Sequence, residues 1–120
     1  MKLFLLLTAV AALVLAAANI NGTWKGSADT PMGTVERTFV FKADGKKLTG
    51  ETTSSMFGKS TIEDGVIDGD NISFSIKASY QGQEMKINYK GQVNGDQMKL
   101  DAEVPDAGQS VTYTVKRVSN

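Results

Sequence analysis

The chain has 120 residues, a length that suits one domain, and its 13 lysine and arginine residues balance 13 aspartate and glutamate residues. This even balance, without any basic run, argues against nucleic acid as a partner. The sequence contains neither histidine nor cysteine. Ser–His–Asp catalysis, thiolate catalysis, the usual zinc sites and disulfides are therefore excluded, and we expect a protein that is not an enzyme and has no cofactor.

The first eighteen residues have the three features of a secretory signal peptide. Lys2 gives a positive start, residues 3–15 are apolar apart from Thr8, and residues 16–18 are alanines. The apolar run is shorter than the roughly 20 residues that a membrane span needs. We therefore predict cleavage after Ala18, a single domain over 19–120 with no membrane span, and a secreted or periplasmic location. The absence of disulfides from an exported domain favours a bacterial source.

Period-two alternation of apolar and polar side chains dominates the rest of the chain and predicts eight strands, at 22–28, 34–42, 47–54, 60–67, 71–80, 84–93, 97–104 and 110–117. The clearest example is the set Met85, Ile87, Tyr89, Gly91 and Val93. In the fourth strand Ile62 and Ile67 have opposite parity, so a β-bulge near Asp64 and Gly65 is needed to bring both inside.

Three tight-turn signals alternate along the chain with four less regular connections. The turn signals are centred on Gly45, Gly69 and Gly95, each after Asp or Asn, and the looser connections cover 29–33, 54–60, 81–83 and 105–109. If each strand pairs with the next, all the glycine turns fall at one end. We therefore predict an all-β, antiparallel, eight-stranded up-and-down β-barrel with a loop-rimmed mouth; a two-sheet β-sandwich is the alternative.

Arg37 is the unexpected residue among the side chains predicted to point inward near the mouth. It shares the parity of Val35 and Phe39, and a buried guanidinium needs a partner. Two interpretations remain open: a bulge near Gly33 turns Arg37 outward or lets it reach the rim, or Arg37 contacts an anionic or polar ligand.

The opposite end of the predicted barrel carries Trp24 on the first strand and Arg117 on the last, where a guanidinium can stack on the indole. Gly22-Thr23-Trp24 together with Arg117 resembles the lipocalin and avidin superfamily of calycins. The resemblance implies an up-and-down barrel, closed structurally by this pair, that binds a small molecule at its open end. The run 62–74 is also similar to small secreted β domains of bacteria, a likeness that leaves the activity open.

The looser connections supply the remaining candidate binding residues. Met56 and Phe57 either fold over the mouth as a cap or form the rim of a ligand site, with Arg37, Tyr80 and Tyr113 as the polar contacts. We predict a non-catalytic barrel that takes a small hydrophobic or amphipathic ligand. The alternative is a module of the bacterial envelope or extracellular matrix that is structural or that binds a protein or polysaccharide partner.

The densest cluster of acidic residues is attributed to the conformation of a tight turn and not to catalysis or metal binding. Glu63, Asp64, Asp68 and Asp70 surround a tight turn, where such residues are common. The calcium-loop pattern is absent, so no metal site is predicted. Paired carboxylates acting on glycosides remain a third and minor alternative.

Overall fold

The computed structural model describes residues 19–31 and 33–119. They form nine antiparallel strands: β1 (Gly22–Thr30), β2 (Gly33–Asp44), β3 (Lys47–Ser54), β4 (Gly58–Thr61), β5 (Glu63–Asp68), β6 (Asn71–Tyr80), β7 (Gln83–Asn94), β8 (Gln97–Val104) and β9 (Gln109–Ser119). A short 3-10 helix, Pro105–Ala107, joins β8 to β9. The predicted signal peptide, residues 1–18, lies outside the described residues.

Eight of the strands close into a barrel. Their order is β1, β2, β3, β5, β6, β7, β8 and β9, and β9 pairs again with β1, while β4 is an extra strand beside β3. Closure leaves the apolar face of the sheet inside, which is what the period-two pattern requires. The predicted antiparallel, eight-stranded barrel is thus confirmed, and the described strands do not form the alternative two-sheet sandwich.

The three glycine turns lie together at one end of the barrel, which we call the closed end. Gly45, Gly69 and Gly95 have φ angles of 62°, 62° and 64°, in the left-handed region that hairpin turns use. The mouth, at the other end, has shorter connections than the sequence suggested. The connection at 81–83 is a two-residue turn in which Gln81 itself adopts a φ of 53° before Gly82.

The predicted fourth strand is broken into β4 and β5, because β3 changes partner along its length. Leu48 pairs with Gly65 of β5, whereas Glu51 pairs with Thr61 of β4. The register between β5 and β6 shifts between Glu63 and Val66, and Asp64 has a φ of 54°. The break therefore combines the bulge that Ile62 and Ile67 required with a change of neighbour that no local pattern indicates.

The wall of the barrel is incomplete beside β4. The ladder between β5 and β6 ends at Glu63 and Ser75, and in the described residues no ladder joins β4 to the remainder of β6. The hydroxyl of Ser60 instead donates to the carbonyl oxygen of Lys77 at 2.9 Å. A seam secured by a side chain and not by a ladder thus runs along the mouth half of the barrel.

The centre of the barrel is filled by four aromatic rings. Phe39 and Phe41 stack with centroids 5.4 Å apart, and so do Phe74 and Tyr89 at 4.8 Å. The two pairs meet edge to face, the arrangement that ring quadrupoles favour. This cluster separates the closed end from the mouth half of the barrel, where the ligand site is predicted.

The closed end is sealed by side chains. Trp24 is fully buried and its Nε1 donates to the carbonyl of Ile20 at 3.0 Å. The Arg117 guanidinium lies 4.4 Å from the indole centroid, pairs with Asp96, and donates to the carbonyls of Asn19 and Asn21. The chain before β1 is therefore part of the seal, and Ile20 is a core residue that the strand pattern did not reveal.

No helix within 19–31 and 33–119 is long and apolar enough to cross a membrane.

Candidate ligand cavity at the barrel mouth

A cavity of about 90 Å³ lies in the mouth half of the barrel, above the aromatic cluster. Most of its wall is apolar and comes from β2, β7, β8 and β9, with the rim completed by the turn before β4 and by the 3-10 helix. The lining residues are Thr30, Val35, Arg37, Phe57, Met85, Ile87, Tyr89, Ala102, Val104, Ala107, Gln109, Ser110, Val111 and Tyr113. Three of the five sequence-predicted ligand residues, Arg37, Phe57 and Tyr113, are thus brought together.

The other two predicted ligand residues are not placed in this lining. Met56 is half-buried in the turn after β3, where its backbone N–H and that of Phe57 donate to the hydroxyl of Ser54 at 3.0 and 3.2 Å. Tyr80 is the last residue of β6, and its side chain lies outside what the structure describes. Phe57 packs against the core, so the turn folds over the mouth and also contributes to the cavity wall.

Arg37 is buried, with 2% of its surface exposed. The register between β1 and β2 runs without interruption from Gly22 opposite Phe41 to Thr30 opposite Gly33. No bulge near Gly33 turns the Arg37 side chain outward, and the side chain does not extend to the exposed rim. Arg37 points inward because strand alternation carries it there with its neighbours in β2.

The guanidinium of Arg37 is incompletely partnered. Its Nη1 donates to the hydroxyl of Thr52 at 3.3 Å, while its buried Nε–H has no acceptor. The ion pairs found among the described residues are Lys59–Glu51 and Arg117–Asp96, so no described carboxylate neutralises Arg37. An uncompensated charge of this kind is costly to bury and marks a site where a polar partner is expected.

Tyr89 is the second polar group at the floor of the cavity. Its hydroxyl is buried without a hydrogen-bond partner, and its ring centroid lies 5.9 Å from the Arg37 guanidinium carbon. Burial raises the pKa of Tyr89 well above its ordinary value, and the nearby positive charge opposes that shift only in part. The phenol is therefore a neutral donor. Its inward parity with Ile87 could have placed it among the candidate residues.

We expect Tyr89→Phe to leave the unliganded protein at least as stable as the wild type at neutral pH, because the substitution removes a buried hydroxyl that has no partner. Above about pH 10 the free energy of unfolding of the variant should rise relative to that of the wild type. The folded state holds the Tyr89 proton while the unfolded state releases it, so wild-type stability falls as pH rises there. Urea denaturation at neutral and alkaline pH measures both effects.

If Tyr89→Phe lost more than about 1 kcal/mol of unfolding free energy at neutral pH, the Tyr89 hydroxyl would have a hydrogen-bond partner in the folded protein.

The acidic cluster lies away from the cavity. Glu63, Asp64, Asp68 and Asp70 are exposed on β5 and its following turn, and none of them contributes to the lining. Within the described part of the chain no group of three or more acidic side chains is placed to hold a metal ion.

No protein-family model and no curated protein matches this chain. Eight solved chains match its fold, among them a crystal structure of a point mutant of the fluorescent protein UnaG. That chain is 13% identical, with a TM-score of 0.48, over 84% of this chain and 97% of its own length. A similarity of this size does not indicate what this chain binds.

Proposed function

We propose that this domain is a non-catalytic binding protein that takes a small apolar or amphipathic molecule at the mouth of the barrel. One observation carries the proposal: the barrel is packed at its centre and closed end but leaves an apolar cavity beneath its mouth. A concave, mostly apolar site with few polar groups is typical of small-molecule binding. The lack of histidine and cysteine, and the position of the acidic cluster outside the cavity, support a role without catalysis.

The size of the cavity limits the ligand. A volume of about 90 Å³ is well below the roughly 300 Å³ at which drug-sized pockets begin. The cavity therefore suits a small molecule, or one end of a linear molecule whose remainder lies against Phe57 and the rim.

The proposal includes export to the periplasm or the exterior of a bacterium. Its support is the charge, apolar run and alanines of residues 1–18. Mass spectrometry of the protein made from its full sequence in a bacterial host should give a chain that begins at Asn19.

Binding is tested by adding small apolar and amphipathic molecules to the domain over 19–120 and measuring heat and thermal unfolding. We expect at least one linear amphiphile to bind and to raise the melting temperature, because a ligand of the folded state stabilises it. Ala102→Leu should weaken that binding at least fivefold, since Ala102 lines the cavity and the larger side chain fills it.

The matched control is Lys99→Leu, which adds the same side chain on β8 at an exposed position outside the cavity. Equal affinity of both variants would contradict a site inside the barrel. Complete absence of binding would favour the alternative, a structural module with a protein or polysaccharide partner.

A further inference from the structure

The floor of the cavity carries two polar groups whose hydrogen-bonding capacity the described residues leave unused. The Nε–H of Arg37 and the hydroxyl of Tyr89 are both buried and both lack a partner. In folded proteins buried donors are almost always satisfied, so two of them in one cavity require an explanation. Both residues line the same cavity, so an acceptor that enters the cavity lies next to both side chains.

The positive charge at the floor of the cavity determines which chemical group of a ligand can act as the acceptor. Arg37 contributes a full positive charge, and no described carboxylate compensates it. The Tyr89 phenol stays protonated because its surroundings are apolar, so it too presents a donor. A pair of donors with one net positive charge complements an anion, and the fork of N–H groups on a guanidinium matches a carboxylate best.

The apolar wall determines the rest of the ligand. The lining also includes Ile87, Ala102, Val104 and Val111, which offer hydrocarbon contact and no charge. A molecule that complements both the positively charged floor and the apolar wall has an anionic group at one end and an unbranched apolar body.

We propose that the cavity binds a small monoanionic amphiphile, a carboxylate in the first instance, with its head group inward on Arg37 and Tyr89 and its tail toward Phe57. This proposal rests on the proposed function and gives it a ligand class and an orientation. The carboxylate accepts from Arg37 and Tyr89, and the tail replaces solvent along the apolar wall. Arg37 is already buried before the ligand binds, so only the carboxylate is removed from water, and the charge-assisted hydrogen bond offsets that cost.

The experiment is isothermal titration of the domain over 19–120 with four linear probes that share an eight-carbon tail: octanoate, octyl sulfate, octanol and octylamine. We expect octanoate to bind at least tenfold more tightly than octanol, the difference expected from one charge-assisted hydrogen bond. Octylamine, positively charged, should not bind measurably. Comparison of octanoate with octyl sulfate distinguishes a carboxylate from an anion of another geometry.

Arg37→Met tests the head-group contact, because methionine keeps an unbranched side chain and removes the charge. The variant should bind octanoate no better than octanol, while its affinity for octanol is retained. Thermal unfolding shows whether the variant is folded, and we expect its melting temperature to equal or exceed the wild-type value without ligand, since an uncompensated buried charge is gone. Tyr89→Phe should reduce octanoate affinity severalfold and leave octanol unchanged.

The matched control is Lys86→Met, which removes one exposed positive charge on β7 outside the cavity and should leave all four affinities unaltered. Equal binding of octanoate and octanol by the wild type, or unchanged octanoate binding by Arg37→Met, would overturn the head-inward proposal while leaving the binding function in place. Failure of every probe in the wild type would remove the proposed function as well.

Discussion

Trp24→Ala is expected to destabilise the domain by roughly 4 kcal/mol, the cost of removing a large buried aromatic ring and leaving a cavity. Trp24 is fully buried, and its indole both donates to the Ile20 carbonyl and supports the Arg117 guanidinium. Small domains are stable by about 5–15 kcal/mol, so this loss is a large part of the total. Urea denaturation followed by far-ultraviolet circular dichroism measures it without relying on the tryptophan signal.

Trp24→Phe is the matched control because it keeps an aromatic ring against Arg117 and removes only the indole donor and part of the volume. We expect about half the loss of the alanine variant, since the lost hydrogen bond costs on the order of 1 kcal/mol and the residual space is smaller. If Trp24→Ala cost less than about 1 kcal/mol, the closed end would not depend on this seal, and the segment at Ile20 would have to be held by other contacts.

The fold was predictable because its main determinants are local in the sequence. Side-chain parity follows from the two-residue period of a strand and needs no knowledge of the partner strand. Val35 and Phe39 were assigned to the interior on that ground, and both are buried. The glycine turns were equally local, because Asp or Asn before Gly specifies the backbone conformation of a hairpin.

The features that the sequence did not reveal depend on which residues become neighbours in the folded structure. Ile20 precedes the first alternating run, so nothing in its surroundings marks it as a core residue, although it is fully buried against Trp24. The turn at Gln81 requires a left-handed conformation that glutamine rarely adopts, and the pairing of β6 with β7 imposes it. The break between β4 and β5 follows from the two neighbours of β3.

The candidate site was predictable only in part, for a related reason. Parity placed Arg37 on the inner face, Tyr113 was predicted as a polar contact, and the apolar turn suggested Phe57. Whether a buried Arg37 has a counterion depends on which carboxylates the other strands bring near it. Parity assigns a residue to the interior, but the size of a cavity depends on how every facing side chain packs.

Arg37 and Arg117 show two roles of a guanidinium in one barrel. At the closed end a guanidinium is satisfied by Asp96 and by backbone carbonyls, and the result is a seal. Near the mouth a second guanidinium is buried with one weak hydrogen bond at 3.3 Å and no described counterion. Stability alone would favour an apolar residue at position 37, and the proposed anionic ligand would give this buried charge a partner.

Gly50→Ala is expected to cost 3 kcal/mol or more, on the order set by backbone strain together with overpacking. Gly50 has a φ of 139°, which side-chain-bearing residues rarely adopt, and an added Cβ would lie 1.9 Å from the carbonyl oxygen of Val40. Because that neighbour is backbone in the adjacent strand, β2 and β3 must separate to relieve the clash. Urea denaturation and size-exclusion chromatography measure the loss of stability and any expansion.

Gly45→Asn separates the two causes, since Gly45 also has a positive φ, of 62°, but nothing lies within 4 Å of its added Cβ. Asparagine tolerates that conformation, so the expected loss is below about 1 kcal/mol. Similar losses in both variants would show that close approach of the strands is not limiting. A much larger loss at Gly50 would locate the requirement where β3 changes partner, because the Gly50 carbonyl accepts from the Ile62 N–H at 2.9 Å between the two ladders.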